Sequence, residues 1–303
     1  MPVWRRENSM FEHRHFVITG GSSGLGLALA QRLVREGAQV TLVARNEQRL
    51  LAALDTLRGE SPAAVVHCRV ADVTDETATQ DAMAAIAAEG GAIDGLINCA
   101  GVMREGYFET LTQQDFREVM EINYFGPLNA TRAALPFLAA QGQGGGQHGH
   151  KGGAPAAWLI NIASVAGLTG VFGYTPYCAS KHALVGLTES LYYELAPQGI
   201  RVQLVCPGEF DSPMVDTLEH NRTPENRAQT LSIPKASLDA IADDTLTGLH
   251  KGDYLIVPTR QARLATLGMR LVPGLSRKLM TRTLARVYRG PATRESVEPG
   301  EQT

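Results

Sequence analysis

A phenol and an ammonium stand four residues apart in the stretch YCASKHALVGL, Tyr177 to Leu187. On a helix, side chains at that spacing are neighbours, so the two heads share one small volume. A tyrosine ordinarily gives up its proton near pH ~10, too high for acid–base work at neutral pH. A cation held beside it favours the phenolate and lowers that value. Tyr177 and Lys181 are therefore a candidate proton-exchanging pair. Tyrosine and lysine are common and the spacing also arises by chance, so the pair needs elements that bring a reacting group to it.

Those elements are legible from Phe16 to about Gly208. HFVITG, QVTLVAR, AVVHCRV, DGLINCAG, AWLINIAS and RVQLVCPG read as strands, and DYLIVP as a last one. Between them lie helical patterns: LGLALAQRLVREG stopped by Gly37, NEQRLLAALDTL with Asn46 as a cap, and Glu76–Ala88. Long helices over Gln113–Ala140 and Pro176–Ala196, then one near Ser237–His250, complete the set. Strands apolar throughout, alternating with helices, imply a parallel sheet covered on both faces. The expected fold class is α/β, a single doubly wound Rossmann-type domain over residues 15–258. Residues 1–14 read as an N-terminal tail, 141–155 (QGQGGGQHGHKGGAP) as a flexible Gly-rich loop, and 291–303 as a disordered tail. His148 and His150 in that loop read as solvated rather than metal-binding.

The chain has 303 residues, 44% of them apolar, and a formal net charge of -3. That supports a sizeable core and gives no electrostatic case for nucleic acid as a partner. Cys68, Cys99, Cys178 and Cys206 are far apart with no metal-ligand spacing, which reads as reduced thiols of a cytosolic protein. The N-terminus MPVWRRENSMFEHRH has no apolar h-region, and no apolar run is long enough to span a bilayer. A soluble, cytoplasmic protein is expected, with a place on a membrane surface left open.

TGGSSGLG, Thr19 to Gly26, follows the first strand and opens the first helix. Glycines there let backbone amides approach a pyrophosphate, and the helix N-terminus adds partial positive charge. Thr19, Gly20, Ser22, Ser23, Gly24, Leu25 and Gly26 are thus candidate cofactor contacts; an ordinary glycine-rich turn is the alternative. At the end of the second strand, VARNEQR puts Arg45 and Asn46 where an acidic residue would bind a ribose 2′-hydroxyl. A guanidinium suits a 2′-phosphate, so NADP(H) is expected over NAD(H). A solvent-facing arginine in a polar turn is the bland reading.

Taken together these motifs resemble the short-chain dehydrogenase/reductase family from about His15 to Pro258. The likeness rests on TGGSSGLG, VADV (Asp72, Val73), NCAG (Asn98, Ala100, Gly101), EINYFG, NIASVAG, YCASK and CPGEFDSP, in order and spacing. Cys99, where the family has a second asparagine, is a mild departure. The resemblance implies a tetrad of Asn123, Ser164, Tyr177 and Lys181. In it Tyr177 would exchange the proton and Lys181 would lower its pKa and bond the nicotinamide ribose. Ser164 would polarise the substrate oxygen, and Asn123 would anchor a relay water. It further implies that Asp72 meets the adenine, Pro207 and Gly208 border the nicotinamide, and Ser212 contacts its carboxamide. No metal is implied. His182 is placed on a different face from Lys181, without a role.

Substrate choice would lie in residues 209–236, a lid in this family, whose Phe210, Met214, Val215 and Leu218 suit an apolar substrate. Several stretches, among them TLVARNEQRL and GLTGVFGYTPYCASKHALVGL, are similar to 3-ketodihydrosphingosine reductases, which implies reduction of a long-chain ketone such as 3-ketosphinganine by NADPH. Alternatives are a dehydrogenase of a steroid, retinoid or other small secondary alcohol, and a non-catalytic NADP-binding scaffold. After Pro258, residues 259–290 read as a basic amphipathic helical extension broken at Pro273–Gly274. Such helices rest on anionic lipid or pack on the domain or a subunit partner, and the pattern alone leaves both open. Homo-oligomers through the two long helices are a further expectation from the family.

Overall fold

Every residue of β1 (His15–Thr19) is buried, and alternation along the strand divides the side chains between two faces. Phe16 and Ile18 join one core with Leu29 and Leu33 of α1 (Gly24–Arg35). Val17 joins another with Met83 and Ile86 of α3 (Glu76–Gly90). A strand covered on both sides belongs inside a parallel sheet. In this computed structural model, which describes residues 9–143, 155–219 and 222–289, β1 is flanked in parallel by β2 (Gln39–Ala44) and β4 (Gly95–Asn98).

The sheet has seven strands in the order β3-β2-β1-β4-β5-β6-β7, all pairings parallel. The outer members are β3 (Val66–Val70), β5 (Ala157–Ile162), β6 (Ile200–Val205) and the short β7 (Leu255–Ile256). The chain moves outward to β2 and β3, then returns to place β4 on the other side of β1. Ligands of such sheets sit at that reversal, outside the carboxyl ends of β1 and β4. α2 (Glu47–Glu60) starts where the Asn46 side chain accepts a hydrogen bond from the Arg49 amide at 2.9 Å.

The long helix expected over Gln113–Ala140 is one helical stretch with a wider turn inside it. α4 (Gln113–Met120) runs into a π-helical turn at Glu121–Phe125 and continues as α5 (Gly126–Gln143). Residues 141–143, assigned from sequence to the Gly-rich loop, continue α5. Gly142 permits it: a Cβ there would meet the Gln198 carbonyl oxygen at 2.0 Å. α6 (Thr175–Leu195) packs against α4 and the π turn.

The core also extends upstream of His15. Phe11 is fully buried, its ring 5.4 Å from Phe16 and 5.7 Å from Trp158. Arg14 forms a buried ion pair with Asp94 at 2.8 Å. The rest of the chain comprises α7 (Pro213–Glu219), α8 (Pro224–Thr230), α9 (Leu238–Lys251), α10 (Arg260–Leu271) and α11 (Pro273–Val287). α11 packs on α8, so the C-terminal extension lies against residues 209–236, the expected lid. Among the described residues no helix is long and apolar enough to cross a membrane. The expectations for residues 1–8, for 144–154 with His148 and His150, and for the tail from 290 fall outside the described residues.

Candidate active site

The strand-to-helix loop after β1 is shaped by contacts that only glycine permits. Gly20 has φ +67°, and a Cβ on it would lie 2.7 Å from the Ala100 backbone. A Cβ on Gly26 would lie 2.5 Å from the Gly20 carbonyl oxygen. Gly24, with φ +54°, has open space where a side chain would be. Ser23 precedes α1 without capping it through its side chain, so the first-turn amides of α1 are left for a ligand. Gly20, Ser22, Ser23, Gly24, Leu25 and Gly26 line one cleft of about 1070 Å³. These features fit the pyrophosphate of a dinucleotide.

Thr19 and Asn98 stand behind this wall rather than in it. The Thr19 hydroxyl accepts from the Cys99 and Ala100 amides at 3.2 and 3.4 Å and so sets the path of the strand that faces the loop. The Asn98 amide donates to Asn161 Oδ1 at 2.8 Å and Thr131 Oγ1 at 3.0 Å, which ties β4 to β5 and α5. Ala100 and Gly101 do line the cleft.

One end of the cleft is cationic. Arg45 and Arg49 both line it, and only the first was singled out by sequence. Arg45 lies 3.6 Å from Asp72, both partly exposed. Asp72 is oriented by hydrogen bonds from the Thr74 amide and hydroxyl at 3.0 and 2.8 Å. Val73 lines the cleft beside it, its carbonyl held by Asn129 at 3.0 Å. Asn46 lines the same end while capping α2.

At the other side of the loop the four tetrad residues converge. Ser164 follows β5, caps a short turn through the Ala166 amide at 3.1 Å and reaches the Pro207 carbonyl at 3.4 Å. Tyr177 and Lys181 lie in the first turns of α6, buried, the Lys181 nitrogen 5.7 Å from the Tyr177 ring centre. Lys181 donates to the Ile162 carbonyl at 2.9 Å. Asn123 sits in the π-helical turn with no exposure. Its side chain accepts from the Val102 amide at 2.8 Å and donates to the Val102 carbonyl and Ser180 at 2.9 and 3.0 Å. The amide therefore clamps the loop after β4 onto α6, and π turns of this kind recur at functional sites.

The electrostatics differ from the sequence expectation. Burial raises the Tyr177 pKa above the ordinary tyrosine value, and the Ser164 hydrogen bond is the leading influence downward. Burial also lowers Lys181 to about 8, with the Cys99 and Cys206 thiols acting the other way. In the protein alone Lys181 therefore does not make the phenol acidic. Its nitrogen lies over the ring and bonds to a backbone carbonyl, and two desolvated groups each favour their neutral form. Burial thus favours the protonated phenol at Tyr177, the form that can donate.

Pro207, Gly208 and Ser212 continue the wall beside the tetrad. Ser212 accepts from the Val215 amide at 3.3 Å, opening α7. Beyond them Phe210, Met214, Val215 and Ile233 of the lid form an apolar side, and Leu264, Met269, Leu279 and Met280 of α10 and α11 form another. The sequence reading missed this role of the extension, because an amphipathic pattern does not say what covers it. Glu209, which sequence did not single out, also lines the cleft, as does His182, its Nδ1 2.8 Å from the Cys178 carbonyl.

Comparison with known proteins places the chain in a family. The model of the short chain dehydrogenase family matches residues 14–223. The chain is similar to a 3-ketodihydrosphingosine reductase of Dictyostelium discoideum, 32% identical over 84% of this chain and 78% of that protein. A short chain dehydrogenase/reductase from Burkholderia phymatum in complex with NAD superposes with a TM-score of 0.73, 26% identical, over 96% of this chain and all of that one. An actinorhodin polyketide ketoreductase with NADPH superposes with a TM-score of 0.69, 28% identical, over 81% and 95%. The chain belongs to the short chain dehydrogenase family, as an oxidoreductase built to hold a nicotinamide cofactor.

Proposed function

We propose that the protein reduces the ketone of a long-chain, lipid-like substrate with NADPH, with 3-ketosphinganine as the substrate that fits best. The observation carrying this reading is that the buried phenol of Tyr177 lines one cleft together with Arg45 and Arg49 and with the apolar side chains of residues 210–233 and of α10 and α11. Arg45 and Arg49 would hold the cofactor's 2′-phosphate, the loop Gly20–Gly26 its pyrophosphate, and Lys181 its ribose. A bound nicotinamide would supply the hydride. As negative charge develops on the substrate oxygen, Ser164 donates a hydrogen bond to it and Tyr177 delivers the proton that completes the alcohol. A group that begins as a donor suits reduction. Lys181, linked through the Ile162 carbonyl to the sheet and facing the Asn123 clamp, then stabilises the phenolate until solvent returns the proton.

The alkyl chain would lie between the lid and α10–α11, whose side chains supply the apolar lining. The similarity to the 3-ketodihydrosphingosine reductase supports that substrate class. The extension would also seat the protein on an anionic membrane, since Leu267, Leu271 and Leu275 are exposed on a segment rich in arginine. Purified protein given NADPH and 3-ketosphinganine should consume cofactor at least tenfold faster than with a compact ketone of equal concentration, about the value of two buried methylenes. Equal rates, or activity on the compact ketone alone, would reject the substrate.

A further inference from the structure

Two carboxylates line the cleft among the described residues, and they stand at opposite ends. Asp72 faces Arg45 at the cofactor end. Glu209 is on the substrate side, two residues after Pro207, whose carbonyl lies 3.4 Å from the Ser164 hydroxyl. Two residues of extended chain reach no more than about 7 Å, so Glu209 starts close to the reacting carbonyl. Its backbone is fixed as well, because its carbonyl accepts from the Ala236 amide at 3.1 Å beside the Phe210–Ala236 bridge.

The side chain of Glu209 is held by a buried fork. Arg222, 1% exposed, donates from Nη1 to Oε1 at 2.8 Å and from Nη2 to Oε2 at 2.5 Å. The same guanidinium donates to Glu219 at 2.7 Å and to Asn226 at 2.7 Å, and it also meets Thr230. Glu219 also takes a hydrogen bond from Arg227 at 3.1 Å, so two guanidiniums serve two carboxylates in this lock, with Glu209 held by the Arg222 fork. A carboxylate has about four lone-pair sites, of which the fork uses two. The others are available from the cleft side, where Glu209 is a lining residue. Tyr174 feels both Glu209 and Arg222 electrostatically, and its ring packs edge-on against Tyr177 at 5.8 Å. The acid is thus coupled to the wall that carries the catalytic phenol.

Building on the proposed function, we infer that Glu209 determines specificity by binding a cationic amine on the carbon next to the substrate ketone. Arg222 is its positioning residue, which fixes the carboxylate's orientation. An ammonium one bond from the reacting carbon would dock on Glu209 while the ketone oxygen meets Ser164 and Tyr177. A des-amino ketone would lack this contact and be held by its chain alone.

The test compares 3-ketosphinganine with a 3-ketone of equal chain length that lacks the amino group. Wild-type protein should show a KM about tenfold lower for the amino ketone, the size of one charge-assisted hydrogen bond. Glu209→Gln should raise KM for the amino ketone by about the same factor and leave the des-amino ketone within about twofold, with NADPH affinity unchanged. A purely structural lock between lid and sheet would move both ketones alike and lower the melting temperature, which would overturn the inference. Should Glu209→Gln fail to fold, the wild-type preference decides: equal KM values for the two ketones overturn it. Wild-type protein inert on both ketones would remove the proposed function, and this inference with it.

Discussion

Tyr177 and Lys181 are buried together, and that fact governs their protonation more than their spacing does. Lys181 has a folded pKa of about 8 against an ordinary 10.5. The unfolded chain therefore holds this proton through a window in which the folded one has released it. In that window, from about pH 8 to 10.5, the contribution of Lys181 to stability rises with pH. Other groups titrate nearby in the opposite sense: burial raises Cys99 to about 11 and Cys206 to about 12. A difference measurement isolates the lysine. Denaturant unfolding of wild type and Lys181→Met should show the balance moving toward wild type as pH rises from 8 to 10.5. A pH-independent difference would mean that Lys181 is not desolvated. Asn123, Ser164, Tyr177 and Lys181 could be named from a fixed order of short motifs, and the structure brings the four together. The direction of the tyrosine shift was not legible, because i,i+4 spacing gives proximity but says nothing of desolvation.

The elements that present these side chains were legible where a periodic apolar pattern met a stop signal. β1, β2, α1 and α2 follow from HFVITG, QVTLVAR, Gly37 and Asn46 with bounds shifted by little. The π-helical turn at Glu121–Phe125 was not, since its cause is a tertiary clamp: Asn123 holds Val102 and Ser180 from two other elements. Phe11 was missed because an isolated aromatic in a charged segment has no periodicity, yet it fills a gap between β1, β5 and α9. At the junction of β2 and α2 the sequence named Arg45, while helix geometry adds Arg49 one turn further along the cleft. A shared phosphate site leads to a graded effect. Arg45→Ala should weaken NADPH by about tenfold and NADH by less than about twofold in a fluorescence titration, as expected for loss of one exposed charge-assisted contact. Equal losses for both cofactors would show that the arginine does not meet the 2′-phosphate.

Across the whole molecule charge is unevenly placed. Residues 260–289 carry eight arginines and lysines and no acidic residue, within a chain of formal net charge -3. On this segment Leu267, Leu271 and Leu275 are exposed, while Leu264 and Leu279 also line the cleft. One amphipathic pattern therefore serves two surfaces, an inner one toward the lid and an outer one, which is why sequence alone left packing and lipid contact unresolved. The outer surface should take the intact protein down with sedimented phosphatidylglycerol vesicles and far less with phosphatidylcholine vesicles. Leu267→Glu with Leu271→Glu should abolish the difference while leaving turnover of a dispersed substrate intact. Sedimentation indifferent to lipid charge would assign the outer leucines another role.

Tyr177 is the proposed donor of the proton that follows hydride transfer, and the Tyr177→Phe variant addresses that role directly. NADPH binding should stay within about threefold of wild type, while consumption of NADPH with 3-ketosphinganine falls by about 10²–10⁴-fold, the range for losing a general acid. A variant that binds NADPH and still turns over near the wild-type rate would contradict it.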